Sequence, residues 1–198
     1  MTVTRPTPPV ETTAAEGAFP CRDRLLGAVL AGGGSVRFGS DKALAAVGGR
    51  TLLDSAVAVL SGLCAEVVVV GREGGVVPGV PDRPGPGLGP LGGICGALHH
   101  AAGRGLAAVV TLPVDSLGFD GDALSALLPG PACAVQQPVV GVWPVSVLPV
   151  VEAILGGTGR HSLRELAEAC GARMVELPRP LGNFNSPAEL AAWEQAHG

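Results

Sequence analysis

Leu25-Leu26-Gly27-Ala28-Val29-Leu30-Ala31-Gly32-Gly33-Gly34-Ser35-Val36-Arg37-Phe38-Gly39-Ser40-Asp41-Lys42 opens with a short apolar run, stops in three glycines and then turns polar. An apolar segment of this length closed by glycine reads as a buried strand, Leu25–Ala31. Consecutive glycines let backbone N–H groups approach an anion without Cβ obstruction, and such nests hold phosphates. Arg37 and Lys42 add the charge that neutralises a triphosphate. Two better-known phosphate loops fail against the same residues. A Walker A loop needs Lys directly after its second Gly, whereas Ser40-Asp41 separate Gly39 from Lys42; a GxGxxG starting at Gly32 would need Gly where Arg37 stands. Of the 13 basic residues 12 are Arg, so Lys42 is the only lysine in a chain that otherwise favours Arg. That single use suggests a place where a compact ammonium on a flexible stem is wanted, the alternative being a solvated turn.

Outward from this loop, Thr51–Leu63 has helical spacing with Thr51 as cap, and Glu66–Val70 is a second strand. Gly71 to Gly89 is dense in Gly and Pro and reads as loop. Leu91–Ala102 reads as a helix and Leu106–Leu112 as a third strand ending at Pro113. Helices are expected over Asp120–Leu128, Val147–Leu155 and Ser162–Cys170, a strand over Arg173–Leu177, and a closing helix over Ala188–Ala196. Strand and helix alternate throughout, which predicts a single three-layer α/β/α domain with a mostly parallel, Rossmann-like sheet. Its ligands belong outside the carboxyl ends of the strands.

Composition agrees. With 198 residues, 47% hydrophobic and 15% charged, the chain can bury a core and is not disordered over most of its length. The apolar residues are Ala, Val and Leu, as a buried parallel sheet covered by helices requires. A net charge of −4 argues against nucleic acid as partner. No apolar run is long enough to span a membrane. Residues 1–22, rich in Thr, Pro and Ala, are expected to be a disordered lead-in to a domain over 23–198, and lack the apolar core of a signal peptide. Cys21, Cys64, Cys95, Cys133 and Cys170 have no metal spacing and read as small buried hydrophobes in a reducing, cytoplasmic setting.

The segment LAGGGSVRFGSDKAL resembles the signature of the molybdenum cofactor guanylyltransferases, close to LAGGxSxRMGxDKxL, with Phe38 in place of Met. The doubled glycine after Leu30-Ala31 resembles the GTP-using branch; cytidylyl-transferring relatives typically begin Ala-Gly or Ala-Ala-Gly. Three further segments match in order, so the likeness covers about residues 25–195. Asp82, ahead of Gly-Pro-Leu-Gly-Gly at 89–93, resembles the family's carboxylate that accepts guanine N1 and N2; read alone it is also a turn Asp. Pro113-Val114-Asp115 resembles Pro-x-Asp, whose Asp holds Mg2+, although Ser116-Leu117 replaces the usual x-Pro; alone, Asp115 also reads as a cap. Asn183-Phe184-Asn185-Ser186-Pro187 resembles Asn-x-Asn-Thr-Pro, with both amides on one side of an extended segment and Ser186-Pro187 starting a helix.

The resemblance implies a nucleotide-diphospho-sugar transferase-like fold and transfer of GMP from GTP to the terminal phosphate of molybdopterin, free or molybdenum-bound. Catalysis then falls to Arg37, Lys42 and Asp115, with Mg2+ on Asp115. Binding falls to Leu30, Ala31, Gly32, Gly33, Gly34, Lys42, Asp82, Asn183 and Asn185. Proteins that deliver the cofactor or receive it are implied partners. Two rivals stay open: the same chemistry with CTP or another phosphorylated acceptor, and a non-catalytic nucleotide-binding protein. Weaker candidates for the second substrate are Gln137-Pro138 with Trp143, and Arg160 with Arg164 on one helical face. His99 and His100 face opposite ways on a helix with no acid in view, and read as packing. Asp120 and Asp122 read as a helix start.

Overall fold

The computed structural model describes residues 22–32, 42–72, 75–159, 161–183 and 189. The opening strand β1 is Leu25–Leu30, buried along almost its whole length because the sheet is covered on both faces. Strands β2 (Ala46–Val47) and β3 (Arg50–Thr51) form a hairpin. Its turn residues Gly48 and Gly49 have φ of +56° and +78°, the two left-handed positions that a two-residue turn of this hand demands. Thr51 then caps α1 (Leu52–Leu63), accepting the Asp54 N–H at 3.0 Å. There follow β4 (Glu66–Val70), β5 (Gly79–Val80), α2 (Gly89–Gly103), β6 (Ala108–Pro113) and β7 (Ser116–Leu117). Asp120 caps α3 (Gly121–Leu127), and β8 (Ala132–Ala134) and β9 (Gly141–Pro144) come next. Helix α4 (Leu148–Gly156) precedes α5 (Leu163–Ala169), which Ser162 caps; β10 (Arg173–Val175) and β11 (Gly182–Asn183) close the described chain.

The main sheet has seven strands in the order β10-β8-β9-β6-β1-β4-β5, and only β9 runs against the rest. Successive residues of β1 serve opposite faces. Leu25 and Val29 join Leu52, Leu60 and Leu124 of α1 and α3, whereas Leu26 and Ala28 join Leu91, Leu98 and Val151 of α2 and α4. This is a three-layer α/β/α domain with a mostly parallel sheet. Among the described residues no helix is long and apolar enough to cross a membrane.

Four expectations need correction. Alternation of strand and helix fails at β8 and β9, which pair directly, and β9 inserts between β6 and β8. Pro131, Pro138 and Gly141 cut that stretch into runs too short to show a period. The supposed loop 71–89 contributes β5, two residues at the sheet edge. Trp143 is wholly buried rather than near a substrate, and its indole N–H donates to Thr111 Oγ1 at 3.0 Å. That hydroxyl in turn donates to the Val139 carbonyl at 2.6 Å, so every polar atom of the cluster is satisfied. His99 does meet an acid, Glu152 of α4, at 2.9 Å. Arg164 lies on α5 and donates to Glu168, but the helix begins after residue 160, which is outside the described residues. Of the closing helix expected over 188–196, only residue 189 is described, and it is helical.

Thr111→Val keeps the shape of this side chain but strands the indole N–H and one carbonyl in the interior. Each lost partner costs about 1–3 kcal/mol. Urea unfolding should therefore show a midpoint lowered by the equivalent of about 2–4 kcal/mol with an unchanged slope; an unmoved midpoint would mean the network contributes nothing.

Candidate functional site

The carboxyl ends of β1, β4 and β6 lie side by side, and the segments leaving them converge. Backbone bonds lock this convergence: the Ala31 N–H donates to the Val70 carbonyl at 3.0 Å and the Val114 N–H to the Leu30 carbonyl at 3.1 Å. Leu30 and Ala31 are thus held by the sheet, and amides left over for a ligand begin at Gly32. A Cβ on Gly32 would come within 2.9 Å of the Gly71 Cα, and one on Gly71 within 2.5 Å of the Gly32 Cα. Two strand ends touch there backbone to backbone, which only a glycine pair permits. Gly71 also has φ +83°, a conformation that side chains resist.

Lys42 begins a single 3-10 turn, Lys42–Leu44, anchored by the buried Ala43. Its Nζ donates to Asp115 Oδ2 at 2.6 Å, across 73 positions of sequence. The two side chains are 12% and 21% exposed, so the pair is sheltered yet open to one side. Charge-assisted bonds this short are the strong ones. Asp115 occupies the turn between β6 and β7, and Val114 beside it is buried in the core. Ser116 and Leu117, the departure from the family pattern, form β7 and pair with β11: Ser116 stands opposite Asn183 and Leu117 opposite Gly182. The backbone of Asn183 is thereby brought one residue from Asp115. The Ser116 hydroxyl donates to Gln137 Oε1 at 2.7 Å, which brings Gln137 to the same turn.

Asp82 is fixed by glycines of α2. The Arg83 N–H donates to the Gly92 carbonyl at 3.0 Å. A Cβ on Gly96 would fall 2.2 Å from the Pro81 carbonyl oxygen, and a Cβ on Gly93 or Gly71 would each sit 3.6 Å from Asp82 Oδ1. The segment can lie on the helix only because Gly96 is bare, whereas the Asp82 carboxylate rests at ordinary van der Waals distance from Gly71 and Gly93. Asp82 opens on a cleft of about 530 Å³ that is also lined by Gly71, Arg72, Val80 and Pro86. Burial pushes its carboxyl above the ordinary value of 3.8. Among the described residues no donor or cation partners that carboxylate.

Gly33, Gly34, Arg37 and Asn185 lie outside the described residues, as does the side chain of Asn183. Of the expected site residues the structure therefore joins Gly32, Lys42, Asp115 and the Asn183 backbone at the strand ends, with Asp82 in the adjoining cleft. Sequence reasoning missed Gly71 and Arg72. Their signal was a Val-rich strand ending in glycine, just as β1 does. Burial raises the thiols of Cys95, Cys133 and Cys170, and pushes Cys64 up to about 12, so these cysteines offer no ready thiolate. Among the described residues no three His, Cys, Asp or Glu side chains cluster to hold a metal.

Residues 27–176 match the family described as the MobA-like NTP transferase domain. The chain belongs to that family. A molybdenum cofactor guanylyltransferase of Acidiphilium cryptum (strain JF-5) is 33% identical to this MobA-like chain over 193 residues, covering 89% of it and 97% of the relative. Molybdopterin-guanine dinucleotide biosynthesis protein A from Archaeoglobus fulgidus superimposes with a TM-score of 0.63 at 18% identity, over 86% of this chain and 97% of that one. The 2-C-methyl-D-erythritol 4-phosphate cytidylyltransferase of Thermus thermophilus does so with 0.59 at 20% identity, again over 86% and 97%. At such identities the two structures speak for the fold alone. That fold serves a cytidylyltransferase as well, so the base must be chosen by side chains rather than by architecture.

A raised carboxyl pKa means that the folded state holds its proton more tightly than the unfolded chain. Stability from Asp82 is therefore lost as pH climbs from about 3.8 through the raised value, and stays lost above it. Asp82→Asn should melt higher than the parent at pH 7, with the gap closing as pH falls towards 3.8. Thermal melts between pH 3.5 and 7 check this, and a gap independent of pH would refute it.

Proposed function

We propose that this MobA-like chain transfers GMP from GTP to the terminal phosphate of molybdopterin, free or molybdenum-bound. An oxygen of that phosphate attacks the α-phosphorus of GTP; a new P–O bond forms as the bond to the bridging α–β oxygen breaks, and pyrophosphate leaves with the electron pair. The product is molybdopterin guanine dinucleotide. One observation carries the reading: the only lysine of the chain is folded onto Asp115 beside the glycine-ended strand. Similarity to molybdenum cofactor guanylyltransferases along nearly the whole chain supports the choice of substrates.

The attacking group is already an anion and needs no general base, so positioning and charge neutralisation remain as the work of the protein. Gly32, with Gly33 and Gly34, offers backbone N–H groups to the phosphates, and Arg37 and Lys42 add positive charge. Asp82 takes the N1–H and N2–H donors of guanine, a pair that cytosine lacks. Asn183, whose backbone is brought beside Asp115, and Asn185 orient the acceptor.

A magnesium ion fits this donor set. Asp115 is one carboxylate with a sheltered but open side, and one or two carboxylates suffice where substrate phosphates and waters complete an octahedron. Such a site is completed by the nucleotide rather than formed by the protein alone, in keeping with the absence of a three-ligand cluster among the described residues. When bound on Asp115, Mg2+ supplies charge neutralisation at the phosphates. Lys42 then has a second task, keeping Asp115 aimed. A cytoplasmic setting goes with this reading, supported by Cys64, Cys95, Cys133 and Cys170 being free thiols.

The test is Mg2+-dependent pyrophosphate release with molybdopterin and either GTP or CTP, expected for GTP. Lys42→Ala should lower kcat/KM by about 10²–10³, the scale for one electrostatic stabiliser. A folded Lys42→Ala protein with full activity would remove Lys42 from the mechanism, and turnover of CTP in preference to GTP would defeat the donor assignment.

A further inference from the structure

The cleft beside Asp82 has two charged walls, and only one has been given a role. Arg72 is half-buried and lines the same volume of about 530 Å³ as Asp82. The left-handed turn at Gly71 sends the chain out of β4 into this wall, and the Gly71 N–H, donating to the Val80 carbonyl at 3.3 Å, ties the turn to β5. Asp82 Oδ1 lies against the bare face of Gly71, so the acid's neighbour is the residue directly before Arg72. No ion pair joins Arg72 to Asp82; the arginine has another contact within the chain. Arg72 and Asp82 thus line a common space, and no ion pair between them closes it.

Guanine presents two different edges to such a space. N1–H and N2–H2 are donors on one edge, and O6 and N7 are acceptors on the adjoining one. An ionised carboxylate only accepts, while a guanidinium only donates, through five N–H groups in a planar fork. Adenine reverses the pattern, setting an amine where O6 would be and a lone pair at N1. Cytosine has no N7 at all.

We propose that Arg72 reads the O6/N7 edge of the guanine whose N1/N2 edge Asp82 takes, which makes it a second specificity-determining residue for the donor. This rests on the guanylyl-donor reading above. The carboxylate alone accounts for rejection of cytosine; the pair together accounts for rejection of adenine by both of its edges.

Calorimetric titration with Mg2+ and GTP, 7-deaza-GTP, ITP or ATP tests this. 7-Deaza-GTP lacks only the N7 acceptor, and ITP lacks only the N2 amine. The parent should bind 7-deaza-GTP roughly 10-fold more weakly than GTP. Arg72→Ala should weaken GTP binding and erase that penalty, while the separate penalty for ITP, which belongs to Asp82, persists. Arg72→Lys keeps the charge but loses the fork and should erase most of it too. Equal binding of GTP and 7-deaza-GTP by the parent overturns the inference, as does a 7-deaza penalty that survives in Arg72→Ala. Loss of the ITP penalty together with the 7-deaza penalty also overturns it, since Arg72 would then only hold the cleft in shape. A parent protein with no preference for GTP over ATP overturns the donor reading itself, and this inference with it.

Discussion

The 2.6 Å bond between Lys42 and Asp115 is the contact around which the rest of this molecule is arranged. It joins the segment that follows β1 to the turn that follows β6, at the carboxyl ends of these two neighbouring strands. An exposed pair would contribute little, because water and side-chain entropy compete with it. Here the two groups are mostly sheltered, so water competes less for the bond. The same bond keeps both groups aimed: whatever enters from the open side meets an ammonium and a carboxylate already in place. Preorganisation of this kind is what phosphoryl chemistry asks of a protein.

Around that pair the architecture is made largely of missing side chains. Gly32 and Gly71 let two strand ends touch, and Gly96 lets the segment carrying Asp82 lie flat on α2. Each glycine gives up packing and adds chain entropy to the unfolded state. In return, the backbone reaches places that a methyl group would fill. The cost extends to Asp82, a carboxylate half out of water with no partner of its own among the described residues. Desolvation without a partner among the described residues is the feature that singles out this carboxylate.

The polar network of the interior shows the opposite policy. Thr111, Trp143 and the Val139 carbonyl answer one another completely, and they pin β9 against β6 in the direction opposite to every other strand of the main sheet. By fixing the reversed strand, the network also fixes where the 135–140 connection returns, and so where Gln137 meets Ser116 beside Asp115. A core contact thereby reaches the site through one short loop.

Much of this was legible in the residues. An apolar run ended by glycines is too short for a helix and too apolar for a surface strand, so β1 and its glycine-rich exit could be read directly, as could α1 from the period of its leucines and its Thr51 cap. The lone lysine marked the charged loop by composition alone. Tertiary structure alone could decide the rest, since it depends on contacts between distant residues. The hairpin of β8 and β9 has strands of three and four residues with no period of their own, and they form because β6 and β10 offer edges to pair with. Trp143 looked like a site residue because sequence shows its type and not its burial. Gly71 and Arg72 looked like the start of a loop, and became a close contact and a cleft wall only when β4 was laid beside β1. Local chemistry sets which elements a chain can form; which of their ends come together depends on long-range packing, and that information is spread over the whole sequence rather than held in any one stretch of it.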